Sequence, residues 1–175
     1  MAFTFVPDYR FQKFDEITPE FLLSIAVRGV LLDIDNTLEP YENPKPSEKV
    51  LSWLAALAEN GIKAAIVSNN GRERVEIFNE NLSLPAYYKA KKPFKKNLMK
   101  ALADIECKSS EAVFIGDQVF TDVWAARNAK MRAILLPPIK DKTDIFTKFK
   151  RLLEKPILSK YERKLRKEEK KNEQA

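Results

Sequence analysis

The sequence predicts an α/β domain, a three-layer doubly wound parallel sheet with helices on both faces. Short apolar, β-rich runs alternate with longer stretches of helical periodicity, and polar turn-forming residues close most of the runs. Helices of this length between strands favour parallel strands joined by right-handed crossovers. A chain of 175 residues with 45% apolar content is long enough to fill one such core.

Each element follows from its own residues. Residues 1–28 are expected to pack on the core as an N-terminal segment, with a helix beginning near "TPEFLLSIAV". "GVLLDID" then reads as a buried strand. In "PSEKVLSWLAALAENG", Ser47 is the expected N-cap, Val50, Leu51, Leu54, Leu57 and Ala58 share one face, and Gly61 ends the helix. "IKAAIVS" is a strand followed by the helix "RERVEIFNENL"; "AYYKA" precedes "KKNLMKALADIE", and "AVFIGD" precedes "VFTDVWAARNAKM". "RAILLPP" supplies a last strand, and the domain is expected to span residues 29–147. No internal repeat is evident.

Charge and cysteine usage narrow the chemistry. The formal charge is +6, yet the segment 148–175 holds eleven Lys or Arg against five Glu, so the basic excess belongs to a C-terminal tail. That tail, "KYERKLRKEEKKNEQA" at its end, is too charged to be core and is expected to fray. The chain has no histidine and one cysteine, Cys107, which excludes Cys/His zinc sites, a histidine base and an internal disulfide. Cys107 is read as structural, since "CKSSEAV" runs on into a strand without the arginine of a cysteine-dependent phosphatase loop. Neither a signal peptide nor an apolar stretch of about 18 residues is present, so the expected location is cytoplasmic, with peripheral membrane contact open.

In doubly wound sheets ligands bind beyond the carboxyl ends of the strands. The residues there are Asp33, Asp35 and Thr37, then Ser68 and Asn69, then Lys91 and Lys92 before Pro93, then Gly116, Asp117, Thr121 and Asp122. Asp33 and Asp35 point to the same side of an extended chain and repel unless something positive lies between them. An all-oxygen ligand set selects a hard cation such as Mg²⁺, commonly bridged to a phosphate. Singly, each residue also suits a turn, a solvated charge or a helix first turn. Unrelated turn residues have no reason to recur in this order at successive strand ends.

In that order, "DIDNT", "SN", "KKP" and "GDQVFTD" resemble the four motifs of the haloacid dehalogenase superfamily of phosphohydrolases. Within its subfamily IIIA, "LLDIDNTL" and "GDQVFTDVWAARN" are most similar to the YqeG family, relatives of the phosphatidylglycerophosphatases. The likeness covers roughly residues 29–138 and is weaker before them; "ARNAKMRA" lacks the glycine often found where that helix turns into the last strand. Receiver domains share an acidic Mg²⁺ pocket on a similar sheet, but their motif order differs.

The resemblance implies a Rossmannoid fold without a large cap, and roles for each residue. Asp33 would attack phosphorus to give an aspartyl-phosphate, and Asp35 would protonate the leaving oxygen and then activate water. Mg²⁺ would be held by Asp33, the backbone carbonyl of Asp35 and Asp117, with Asp122 in support. Ser68 and Lys92 would hold the phosphoryl oxygens, joined by Asn69, with Thr37 binding nearby or orienting the loop. The stretches between Asp35 and Ser47 and between Asn69 and Lys92 are too short for a cap. An open site suits a large phosphorylated substrate that closes it, such as a macromolecule or a lipid headgroup. The tail mixes Phe146, Phe149, Leu152, Leu153, Ile157 and Leu158 with cations, which suits an anionic membrane and therefore phosphatidylglycerophosphate. The alternative is a binding protein whose tail docks on RNA or the ribosome while the pocket senses phosphate.

Overall fold

The computed structural model describes residues 5–140 together with positions 156, 157, 159 and 161–163. Among them, six parallel strands form one sheet: β1 (Tyr9–Arg10), β2 (Gly29–Leu32), β3 (Lys63–Val67), β4 (Ala86–Tyr87), β5 (Ala112–Gly116) and β6 (Arg132–Leu135). Their spatial order is β1-β6-β5-β2-β3-β4. The accompanying helices are α1 (Pro19–Ser24), α2 (Glu48–Glu59), α3 (Arg72–Asn79), α4 (Lys96–Asp104) and α5 (Trp124–Asn128). A π-helical turn, Val119–Val123, leads into α5. No helix among the described residues is long and apolar enough to cross a membrane.

The doubly wound architecture follows from the period-two alternation of the central strands. All four residues of β2 are buried: Val30 and Leu32 face a core shared with α2 and α3, while Leu31 faces the core under α4 and α5. Val113 and Ile115 of β5 divide from Ala112 and Phe114 in the same way. Leu31 pairs with Ala65 on one side and Phe114 on the other. From β2 the chain turns outward to β3 and β4, then returns to β5 on the opposite flank, so the order reverses between β2 and β5. That switch point is where such sheets open a crevice at their carboxyl ends.

The N-terminal segment enters the sheet itself through β1, whose Tyr9 pairs with Ile134. Phe14, Ile17, Leu22 and Val27 lie in the first core, and the Trp53 indole donates to the Ile17 carbonyl at 2.8 Å. α1 starts with Thr18 accepting from the Phe21 N–H at 3.2 Å and with Pro19 at its first position, where a missing N–H costs nothing.

Two local expectations change, and the turn after α5 is made without a glycine. Ser47 does precede α2, but its hydroxyl makes no cap; instead buried Glu39 accepts the Ser47 N–H through Oε1 at 3.0 Å and Asn43 Nδ2 through Oε2 at 2.9 Å. Ala58 is exposed, and Trp53 completes the buried face of α2. Where a glycine would turn α5 into β6, Lys130 itself adopts φ 56. Of the tail, residues 148–155, 158, 160 and 164–175 lie outside the described residues, as do Phe146, Phe149, Leu152, Leu153 and Leu158. Ile157 packs on the second core and Tyr161 is buried under the Arg10 guanidinium, 5.9 Å from the ring centroid, so this part of the tail is core-facing.

Candidate active site

β2 and β5 end side by side, and each delivers an aspartate to the switch point. The Asp33 N–H still donates to Ile115 at 3.0 Å, so strand pairing fixes this backbone to the point where the side chain emerges. Asp117 follows β5 directly. Asp122 comes from the π-helical turn, a distortion that swings its carboxylate back over the strand end. Gly116 makes room: a Cβ there would stand 2.6 Å from the Asp122 Cβ. Gln118 donates its N–H to Asp122 Oδ2 at 3.0 Å.

The carboxylates of Asp33, Asp117 and Asp122 supply oxygens within 4.8 Å of one another. Lys92 enters from the loop after β4, its Nζ 2.8 Å from Asp33 Oδ1 and 2.7 Å from Asp122 Oδ1, with both ion pairs buried. One ammonium therefore faces three carboxylates in a low-dielectric site. Burial pushes the Asp33 carboxyl up to about 6; Asp122 and Asp35 add to the rise and Lys92 opposes it. Burial likewise raises Asp117 well above an ordinary carboxyl, with Asp122 and Asp33 adding. For Lys92, burial lowers the pKa, but Asp122 and Asp33 together outweigh it and push it up. The ammonium stays charged, and the negative charge left over is what a bound cation would offset. Oxygen donors, their spacing and this surplus charge all fit a hard divalent ion.

Asp35 lies apart from that cluster. Asn70 Nδ2 donates to its Oδ2 at 2.7 Å, and Arg74 Nε to its Oδ1 at 3.0 Å in an ion pair little exposed on either side. Arg74 is itself held by the Pro44 carbonyl at 2.7 Å and by the Phe78 ring. Asn69 grips the backbone of Lys92 both ways, accepting its N–H at 2.7 Å and donating to its carbonyl at 3.2 Å. Ser68 accepts the Asn70 N–H at 3.1 Å. A cavity of about 220 Å³ is lined by Asp33, Asp35, Asn36, Ser68, Asn69, Asn70 and Gln118. Thr37 is turned away from it, donating to Asp117 Oδ1 at 3.4 Å.

Of the sequence-derived residues, Asp33, Asp35, Ser68 and Asn69 line the cavity, while Lys92, Asp117 and Asp122 gather behind it around Asp33, with Thr37 on Asp117. Arg74, Asn70, Gln118 and Glu39 were not anticipated. Asn70 adjoins the "SN" pair and had a turn signal; Arg74 lies one turn into a polar helix, where nothing distinguishes it from a solvated charge. Among the described residues no cap element covers the cavity, since only a loop joins β2 to α2 and only α3 and β4 separate Asn69 from Lys92.

Comparison with known proteins shows the family. A probable phosphatase, YqeG of Bacillus subtilis, is 38% identical over 91% of this chain and 93% of its own length. A glyceraldehyde 3-phosphate phosphatase of Pyrococcus furiosus is 25% identical over 73% of this chain and 54% of its own. An uncharacterized protein of Listeria monocytogenes shares the fold at TM-score 0.53, with 20% identity over 67% of this chain and 85% of that one. The haloacid dehalogenase-like hydrolase model matches residues 20–136, from the first helix to the end of the sheet, and the chain belongs to that family.

Proposed function

We propose that this phosphatase of the haloacid dehalogenase class is a Mg²⁺-dependent phosphomonoester hydrolase that works through an aspartyl-phosphate on Asp33. One observation carries the reading: Asp33 reaches the cavity while Lys92 holds its carboxylate at 2.8 Å beside Asp117 and Asp122. Asp33, Asp117 and the Asp35 carbonyl would hold Mg²⁺, with Asp122 in support. When bound, the ion would neutralise charge that otherwise keeps a carboxylate from a phosphate.

The chain's own groups account for the rest. Asp33 Oδ attacks phosphorus as the ester oxygen departs, so one P–O bond forms and one breaks. Asp35, clamped by Arg74 and Asn70 on the cavity wall, gives a proton to the leaving oxygen and takes one from the water that releases phosphate. Ser68 and Lys92 bind phosphoryl oxygens, and Asn69 fixes the loop that presents Lys92.

The uncapped cavity suits a substrate whose own bulk closes it, and phosphatidylglycerophosphate at a bilayer surface is the proposed one, yielding phosphatidylglycerol and phosphate. The test is phosphate release from phosphatidylglycerophosphate in mixed micelles, beside a phosphopeptide and small sugar phosphates including glyceraldehyde 3-phosphate, each with Mg²⁺ and with EDTA. Magnesium-dependent release from the lipid in excess of the others is expected. Preference for a sugar phosphate would overturn the lipid assignment while leaving the phosphatase.

A further inference from the structure

The loop that carries Lys92 into the site also builds an unusual outer surface. From Tyr88 to Lys100 the chain has six lysines and no acidic residue. Lys92 alone of the six is buried; Lys89, Lys91, Lys95, Lys96 and Lys100 are exposed. Among them stand Tyr88 at 42% exposure, Phe94 at 71% and Met99 at 43%. A phenylalanine so uncovered gains nothing from the fold, and grouped with two more large apolar side chains it marks a contact surface.

The surface is held rigid by the site itself. The Lys89 N–H donates to Asn70 at 2.7 Å, the Ala90 N–H to Ser68 at 2.9 Å, and the Lys92 N–H to Asn69. Asn97 and Asn128 hold the Ala90 and Pro93 carbonyls at 3.1 and 2.9 Å. Lys89 and Lys91 take φ 44 and 57, where a glycine would be unstrained, yet each is a lysine with its side chain in solvent. Display of Phe94 and its lysines is built into the same hydrogen bonds that place Lys92.

We propose that the surface formed by Tyr88, Phe94, Met99 and the surrounding lysines docks the protein on an anionic lipid bilayer through the same loop that carries Lys92. Charge complementarity selects the partner: dispersed ammonium groups match a plane of anionic headgroups, and Phe94 with Met99 would enter the boundary between headgroups and acyl chains. Single-stranded RNA fits less well. The segment contains no arginine fork, Met99 offers no stacking plane, and Arg72 already lies over the Tyr88 ring at 6.0 Å. The inference deepens the lipid reading above and depends on it only for what is hydrolysed after docking.

The test uses the full chain and a variant carrying Phe94→Ser, Lys95→Glu and Lys96→Glu. Both are sedimented with vesicles of phosphatidylglycerol and phosphatidylcholine in equal parts, and with phosphatidylcholine alone. The parent should bind the anionic vesicles and not the neutral ones, with salt weakening it, and the variant should lose at least about tenfold in affinity. Its turnover of p-nitrophenyl phosphate should stay within about twofold of the parent, which separates docking from chemistry. Equal vesicle binding by the variant, or a parent that binds single-stranded RNA and not anionic vesicles, would overturn the proposal. Should vesicle binding fall in the variant while the parent hydrolyses no phosphomonoester, docking stands and the catalytic reading fails.

Discussion

At the scale of single residues, the two aspartates after β2 divide their work because their neighbours differ. Asp33 faces Lys92 and two further carboxylates, whereas Asp35 faces Arg74 and Asn70. Asp33→Asn keeps the shape but loses the nucleophile, so turnover of any substrate should fall at least about a thousandfold with the circular dichroism spectrum unchanged. Arg74→Ala leaves the nucleophile and metal ligands in place and frees Asp35 to swing; a loss of about ten- to a hundredfold in kcat with little change in KM is expected. Were KM to move and kcat hold, Arg74 would be a substrate contact and not a clamp on Asp35. Lys92→Met removes the cation that pairs with Asp33 and Asp122, and leaving buried charge unpaired costs about 3–5 kcal/mol, to be read from the urea midpoint. Adding Asp33→Asn to that variant should recover part of the loss, since it removes one of the unpaired charges.

At the scale of elements, the sheet was legible because period and burial are written into each run. The apolar run "GVLL" is short enough to be a strand covered on both faces, and its polar ending marks the carboxyl end where function collects. β1 was not legible, because two residues carry no periodicity and its place depends on pairing with β6, far along the chain. The clamp on Asp35 was hidden for the same reason, since Arg74 meets Asp35 only after α3 packs against the loop before α2. Close approach at glycines belongs to this scale too. Gly116→Ala should drive a methyl into Asp122, costing about 1–3 kcal/mol and lowering activity together. Gly29→Ala, at the other end of the sheet, would meet Cys107 Sγ at 2.8 Å. It should cost similar stability with per-molecule turnover intact, and Cys107→Ala should relieve part of that cost.

For the whole molecule, the excess of buried negative charge links stability, pH and metal. Asp33 ionises near 3.8 when the chain is unfolded and near 6 when folded, and Asp117 shifts in the same direction. Between those values folded Asp33 holds more proton than unfolded Asp33, so stability falls as pH rises through that window and its penalty is complete above it, with Asp117 acting in the same sense. A divalent cation that binds only the folded, ionised cluster reverses the trend, because it competes with protons for the same oxygens. At a hundredfold excess over its dissociation constant such an ion contributes about 2.7 kcal/mol. For a domain of this size that corresponds to roughly 5–10 °C in Tm. The expected result is a Mg²⁺-induced rise in Tm that is larger at pH 7.5 than at pH 4.5. Other carboxylates titrate in the same range, so the measurement is the increment caused by Mg²⁺ at each pH, repeated on Asp117→Asn. In that variant the increment should shrink at neutral pH while the metal-free Tm rises, since one of the mutually repelling buried carboxylates has gone. An increment independent of pH, or one that survives Asp117→Asn undiminished, would place the cation elsewhere and leave the Lys92 ammonium to balance Asp33 and Asp122 without it.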